Sequence, residues 1–335
     1  MTRHGLRALL ALACLAAPLA PAPAAERALL HEDGTVAAID ERPIRFYLDR
    51  PDFAEKVPLL VVVDGSGCSG QMRPSSWGNY APTGEDAVPY ARLMVEKPGV
   101  GPTDVRPPGD CPDAFNRDYT IDNRVTDHLR VLQHIVGDAA WWDGRILLWG
   151  WSDGGDVAAR LVTYRPDIER AVLGAMGGGL TMAEHFEDIW VCPAATTPDR
   201  APCLADLRAD FARIEDNPSG VQMWNGESHA TWASRLRARL SAPLADNRVP
   251  ILIVHGELDQ ENTPVESARK LVADLRASGN EAFTYWEIAG MGHGWNDLPP
   301  ARQVAIHRAM LDWLLTGTVA PERQALALIG EMPQP

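Results

Sequence analysis

The chain has 335 residues, 46% of them hydrophobic and 23% charged. A chain of that length buries most of its unfolded surface on folding, so its core needs no metal or covalent staple. Asp and Glu number 45 against 31 Lys and Arg, a formal charge of −14. That balance excludes a nucleic-acid binder, because phosphate backbones are held by clustered Lys and Arg, and it repels acidic lipid surfaces.

Residues 1–24 form a unit of their own. Arg3 and Arg7 precede an apolar run from Ala8 to Ala20, and Ala22-Pro23-Ala24 follows. Basic start, apolar middle and small-x-small end are the order of a secretory signal peptide. The run is too short to span a bilayer and Pro18 interrupts it, so no membrane span is expected. The expected location is outside the cytoplasm, periplasmic or extracellular. Beyond Cys14, the cysteines are Cys68, Cys111, Cys192 and Cys203, an even number that predicts two disulfides in an oxidising compartment.

Downstream, short apolar runs alternate with stretches of helical spacing. Val57–Val63, Arg92–Glu96, Arg145–Gly150, Arg170–Ala175 and Val249–His255 are nearly continuous in apolar residues, and Phe283–Ile288 is a sixth candidate strand. Strands buried on both faces read this way, which predicts a mostly parallel sheet. Thr120–Val136, Gly155–Tyr164, Pro264–Ser278 and Pro300–Leu315 read as helices between them, and residues 34–50 as an antiparallel hairpin. The fold class is therefore α/β, a central sheet flanked by helices. Residues 179–247 break the alternation, carrying two cysteines, three Trp and helical pieces but no core strand. They are expected to form a helical cap inserted into a core made of residues 25–178 and 248–335.

The chemistry centres on Gly150-Trp151-Ser152-Asp153-Gly154, a G-x-S-x-G string between a strand and a helix. Glycines on both sides let the backbone turn sharply and hold the hydroxyl out at the sheet edge. A serine hydroxyl needs a base to take its proton and a carboxylate to orient that base. The strand Val249–His255 runs into Gly256-Glu257-Leu258-Asp259, and the strand Phe283–Ile288 into Gly290-Met291-Gly292-His293-Gly294. Ser152, Asp259 and His293 thus follow three strands in the required chain order. Glu257 and Glu261 are rivals for the acid, and His255 reads as structural. His31, His128, His134, His185, His229 and His307 fall on helices or loops where solvated or packed imidazoles are ordinary. The oxyanion donors are expected to be the N–H of Asp153, next to the nucleophile, and of Ser66, with Gly67 as the second choice, after the first core strand. The Asp153 and Asp156 side chains suit a helix N-terminus and need no catalytic role.

Two cysteine pairs follow from this layout. Cys192 and Cys203 lie close together inside the insertion. Cys68 and Cys111 lie in loops that adjacent parallel strands would bring to one edge of the sheet.

With these residues the sequence resembles the α/β-hydrolase superfamily from about Val57 to Leu315. Between Val249 and Trp295 it is similar to the catalytic domain of prolyl-oligopeptidase-type serine hydrolases, through strand, His255-Gly256-x-x-Asp259, helix, strand and Gly290-x-Gly292-His293-Gly294. The resemblance implies a serine hydrolase. Asp64-Gly65-Ser66-Gly67 departs from the usual His-Gly-Gly start of the oxyanion loop, and the stretch ahead of the first strand is too short for a propeller. The expected activity is cleavage of a carboxylic ester or related acyl bond in a small-molecule substrate, without metal or organic cofactor. The alternative is an exopeptidase or small-peptide hydrolase, with Glu184, Glu187 or Asp188 holding a substrate amine. Trp149, Trp151 and Trp295 either line an acyl pocket or pack in the core.

Overall fold

The computed structural model describes residues 29–52, 55–73, 90–107, 109–137, 139–321 and 329–330. The signal-peptide reading of residues 1–24 lies outside them. A nine-stranded sheet forms the centre, built from β1 (Leu29–Ala37), β2 (Pro43–Pro51), β3 (Val57–Val63), β4 (Ala91–Val95), β5 (Trp142–Trp151), β6 (Ile168–Gly174), β9 (Ile251–Gly256), β10 (Phe283–Ile288) and β11 (Ile329–Gly330). Their order is β1-β2-β4-β3-β5-β6-β9-β10-β11. The six strands from β4 to β10 are parallel, while β1, β2 and β11 are antiparallel additions at the two sides. The predicted hairpin is β1–β2, and it extends the sheet beside β4.

The helices are α1 (Asp113–Asp118), α2 (Ile121–Val136), α3 (Asp153–Tyr164), α4 (Met182–Glu184), α5 (Arg200–Asp216), α6 (His229–Ala233), α7 (Ser241–Ala245), α8 (Val265–Ala277) and α9 (Pro300–Thr316). Strand side chains alternate between faces, and β3 shows the consequence. Leu59, Val61 and Val63 join the cluster that contains residues of α2, α3 and α8, whereas Leu60 and Val62 join the one that contains residues of α9. All seven β3 residues are buried, which is why that segment has no polar face in the sequence. Each such Leu or Val contributes about 1.5–3 kcal/mol through burial.

The order of strands positions the site. From β3 the chain moves to β4 on one side, then crosses back to place β5 on the other. Where the direction of winding reverses, the loops beyond the carboxyl ends diverge and leave a crevice. The loops after β3 and β5 flank that crevice.

Between β6 and β9 the chain builds a cluster of its own. Phe186, Phe211, Trp224 and Trp232 meet edge to face or tilted, with Phe186–Trp224 centroids 4.9 Å apart and Trp224–Trp232 5.5 Å apart. Cys192 and Cys203 form a disulfide beside it, and Cys68 and Cys111 form the other, with Cα atoms 6.0 and 5.5 Å apart. A short antiparallel pair, β7 (Met223–Trp224) and β8 (Glu227–Ser228), also lies in this segment. No helix among the described residues is long and apolar enough to cross a membrane.

Two titratable groups, buried His307 and half-buried Asp156, give opposite pH dependences. Burial pushes His307 down from the usual imidazole range to about 4. Its contribution to stability is present above the unfolded pKa of ~6.5 and is lost as pH falls toward 4. Asp156, in the first turn of α3, is pushed up to about 7 by burial and then by the Asp153 charge. Its contribution is present below ~3.9 and is lost as pH rises through 7. Thermal melts across pH 4–8 should therefore show His307→Gln gaining on the wild type toward acid. Asp156→Asn should gain toward neutral pH. Parallel curves would contradict both assignments.

Candidate active site

Ser152 occupies a single-residue turn between β5 and α3. Its φ of 58° and ψ of −127° lie in a region that L-residues seldom adopt. The flanking glycines make the turn possible. A Cβ on Gly150 would stand 2.2 Å from the Gly154 carbonyl oxygen, and one on Gly154 would stand 2.0 Å from the Val63 carbonyl oxygen. Both neighbours are backbone and cannot move aside. The Ser152 N–H donates to Gly174 O on β6 at 2.8 Å, which ties the elbow to the sheet.

Asp259 and His293 arrive on the loops after β9 and β10. Those loops are pressed together at Gly256, where a Cβ would lie 2.1 Å from Gly292 O, and joined by Leu258 N–H to Met291 O at 2.9 Å. His293 Nε2 is 2.9 Å from Ser152 Oγ, and His293 Nδ1 is 2.7 Å from Asp259 Oδ2. Since an ionised carboxylate only accepts, Nδ1 carries the proton and Nε2 is left to accept from the serine. The other Asp259 oxygen accepts from the Thr263 N–H at 3.1 Å. The Trp151 indole N–H donates to His293 O at 3.0 Å, and the ring meets Trp295 edge-on at 4.5 Å.

The rival residues go elsewhere. Glu257 accepts from the Gly290 N–H at 3.0 Å, bracing the histidine loop from outside, and Glu261 is exposed. Buried His255 donates from Nε2 to Thr263 O at 2.8 Å, and burial lowers its pKa so that it stays neutral. Trp149, Trp151 and Trp295 are all buried in the cluster under α9, so the acyl-pocket option for them is withdrawn. The reason is parity: residues 149 and 151 share the face of β5 turned to α9. Glu184, Glu187 and Asp188, considered as amine holders, pair with Arg239, Arg208 and Arg200 at 2.6, 2.8 and 2.6 Å.

Asp153 carries more than the first-turn position that its sequence suggests. Its carboxylate is buried and bound by Arg124 at 2.9 Å, Arg235 at 3.1 Å and the Tyr119 hydroxyl at 2.5 Å. Burial pushes this acid up, but Arg235 and Arg124 more than reverse it, leaving it below the ordinary carboxylate range. Asp153 is also the first residue of α3, so its N–H has no acceptor within the helix. Gly65 lies against the serine, its Cβ position 3.3 Å from Ser152 Cβ and 3.7 Å from Oγ, and Ser66 follows it. The loop carrying them is underpinned by Asp64, whose buried carboxylate meets Arg73 at 3.0 Å and Lys97 at 3.3 Å. Arg124, Lys97, Tyr119 and Arg235 were not expected here. Arg124 had one signal: it lies in the stripe of apolar residues Ile121, Val125, Leu132 and Ile135 on α2. Among the described residues no group of three His, Cys, Asp or Glu is arranged to hold a metal ion.

Comparison with known proteins bears on this arrangement. The model of the prolyl oligopeptidase family matches residues 171–318, which takes in Asp259 and His293 and stops short of Ser152. Comparison with curated protein sequences gave no match. Among solved structures, the acylaminoacyl peptidase of Pyrococcus horikoshii superposes with a TM-score of 0.59 at 12% identity, covering 89% of this chain and 44% of that one. Est1E of Butyrivibrio proteoclasticus superposes at 0.56 and 17%, covering 87% and 99%. Brefeldin A esterase, described as a bacterial homologue of human hormone sensitive lipase, superposes at 0.53 and 16%, covering 92% and 81%. The chain therefore spans less than half the length of the peptidase and most of the other two. At such identities these likenesses establish the fold. The chain thus has the α/β-hydrolase fold, and its residues 171–318, which include Asp259 and His293, are similar to the prolyl oligopeptidase family.

Proposed function

We propose that the protein is an exported hydrolase of carboxylic esters or related acyl bonds, acting through Ser152, His293 and Asp259. The observation that carries this reading is the unbroken relay from Ser152 Oγ to His293 Nε2 at 2.9 Å and from Nδ1 to Asp259 at 2.7 Å. Ser152 attacks the acyl carbon while His293 takes its proton, and Asp259 holds the neutral tautomer and steadies the imidazolium. The amides of Asp153 and Ser66 receive the developing oxyanion. His293 then protonates the leaving group, and water attacks the acyl-enzyme with His293 again as base. Residues 179–247 act as a cap over the carboxyl edge, and the two disulfides suit an oxidising compartment.

An ester is favoured over a peptide because the cap acids considered for a substrate amine are already paired with arginines. The match to the prolyl oligopeptidase family supports a second reading, a small-peptide hydrolase using the same three residues. A panel of nitrophenyl acyl esters of graded chain length beside aminoacyl nitroanilides separates the two. Turnover of the esters with little on the anilides is expected. Efficient release from aminoacyl anilides alone would replace the ester reading with the peptide one, and activity on neither would reject both.

A further inference from the structure

We propose that Lys97 and Arg124 are positioning residues that set the two halves of the oxyanion hole. This inference rests on the reading of Ser152 as nucleophile and of the Ser66 and Asp153 amides as oxyanion donors.

The Ser66 N–H belongs to the peptide unit whose carbonyl is Gly65 O. A trans peptide is planar, so its N–H and C=O point in opposite directions. Whatever holds Gly65 O therefore aims the Ser66 N–H. That oxygen accepts from Lys97 Nζ at 3.1 Å and from the Tyr119 hydroxyl at 3.5 Å. The peptide needs such a hold. Gly65 precedes Ser66 and Gly67, with φ of 82°, follows it, and glycines on both sides make rotation of the intervening peptides inexpensive. Rotated the other way, the unit would present a carbonyl oxygen where negative charge has to develop.

Arg124 joins this loop to the other donor. Its Nη2 donates to Asp64 O at 2.7 Å and its Nη1 to Asp153 Oδ2 at 2.9 Å. One rigid, planar guanidinium thus spans the backbone just before Gly65 and the side chain of the residue whose N–H is the second donor. Both cations are buried, with side chains 1% and 2% exposed. Replacing a buried ion pair by apolar groups is often neutral or stabilising, so stability gives little reason for two cations here. The geometry of the hole gives one.

The test compares an oxo ester with its thiono ester, in which sulfur replaces the carbonyl oxygen. Sulfur accepts hydrogen bonds weakly, so a working oxyanion hole prefers the oxo ester. Lys97→Met should lower kcat by about ten- to a hundredfold, less than the loss of an oxyanion donor itself, and should shrink the oxo-to-thiono preference by about tenfold. Arg124→Lys keeps the charge but reaches only one of the two partners, and should shrink the preference less. Circular dichroism melts identify variants that fail to fold, and if Lys97→Met is one, Arg124→Lys decides. A folded variant with reduced kcat and the full wild-type preference would overturn the inference while leaving the site reading intact. A wild-type enzyme with no preference, and no fluorophosphonate label on Ser152, would remove the site reading and this inference with it.

Discussion

Ser152→Ala should lower kcat by about 10⁴-fold or more while leaving the fold in place. The hydroxyl is the only group lost. The N–H to Gly174 O and the glycines on either side, which shape the elbow, remain. Residual turnover would come from binding and the backbone donors, which still favour a tetrahedral carbon attacked by water. A fluorophosphonate probe should label the wild type at Ser152 and fail on the variant. Full labelling of Ser152→Ala would transfer the nucleophile to another residue.

The orienting acid should be nearly as sensitive. In Asp259→Asn an amide replaces the oxygen that now accepts from His293 Nδ1 at 2.7 Å. An amide N–H₂ facing Nδ1 selects the tautomer with its proton on Nε2, which cannot accept from the serine. A fall in kcat of about 10³- to 10⁴-fold is expected, close to the ~10⁴-fold loss that the same change causes in a chymotrypsin-type triad. Glu257→Gln should cost only a few-fold by the same reasoning, since Glu257 bonds Gly290 and not His293. Steady-state kinetics of the two variants side by side decide the matter. A crippled Glu257→Gln with a mild Asp259→Asn would move the acid to Glu257.

Much of this architecture could be read without coordinates because it is written in local patterns. Val57–Val63 is apolar throughout because both faces of β3 are covered, and the same holds for β9. The hairpin, the four long helices beside the sheet and the Cys192–Cys203 pair were likewise legible, since each depends on period, turn residues or short separation, while the Cys68–Cys111 pair followed from two loops at one edge of a parallel sheet. The order Ser152, Asp259, His293 was legible too. Each follows a strand, and parallel strands deliver the loops at their carboxyl ends to one edge.

The sequence by itself thus determined the layer order, the elbow and the three strand-end side chains, because backbone hydrogen bonding and side-chain alternation act within a few residues. Tertiary structure decided what surrounds them. Trp149 and Trp151 lie next to the elbow in sequence, but strand parity turns them to the cluster under α9. Glu184, Glu187 and Asp188 look like free acids until arginines from 12 to 55 residues away reach them. Asp153 looks like a helix-start carboxylate, yet Arg124 comes to it from α2, Tyr119 from the turn before α2, and Arg235 from the inserted segment. A charge can be buried only where partners of opposite sign converge, and convergence of distant segments leaves no periodic trace in any one of them.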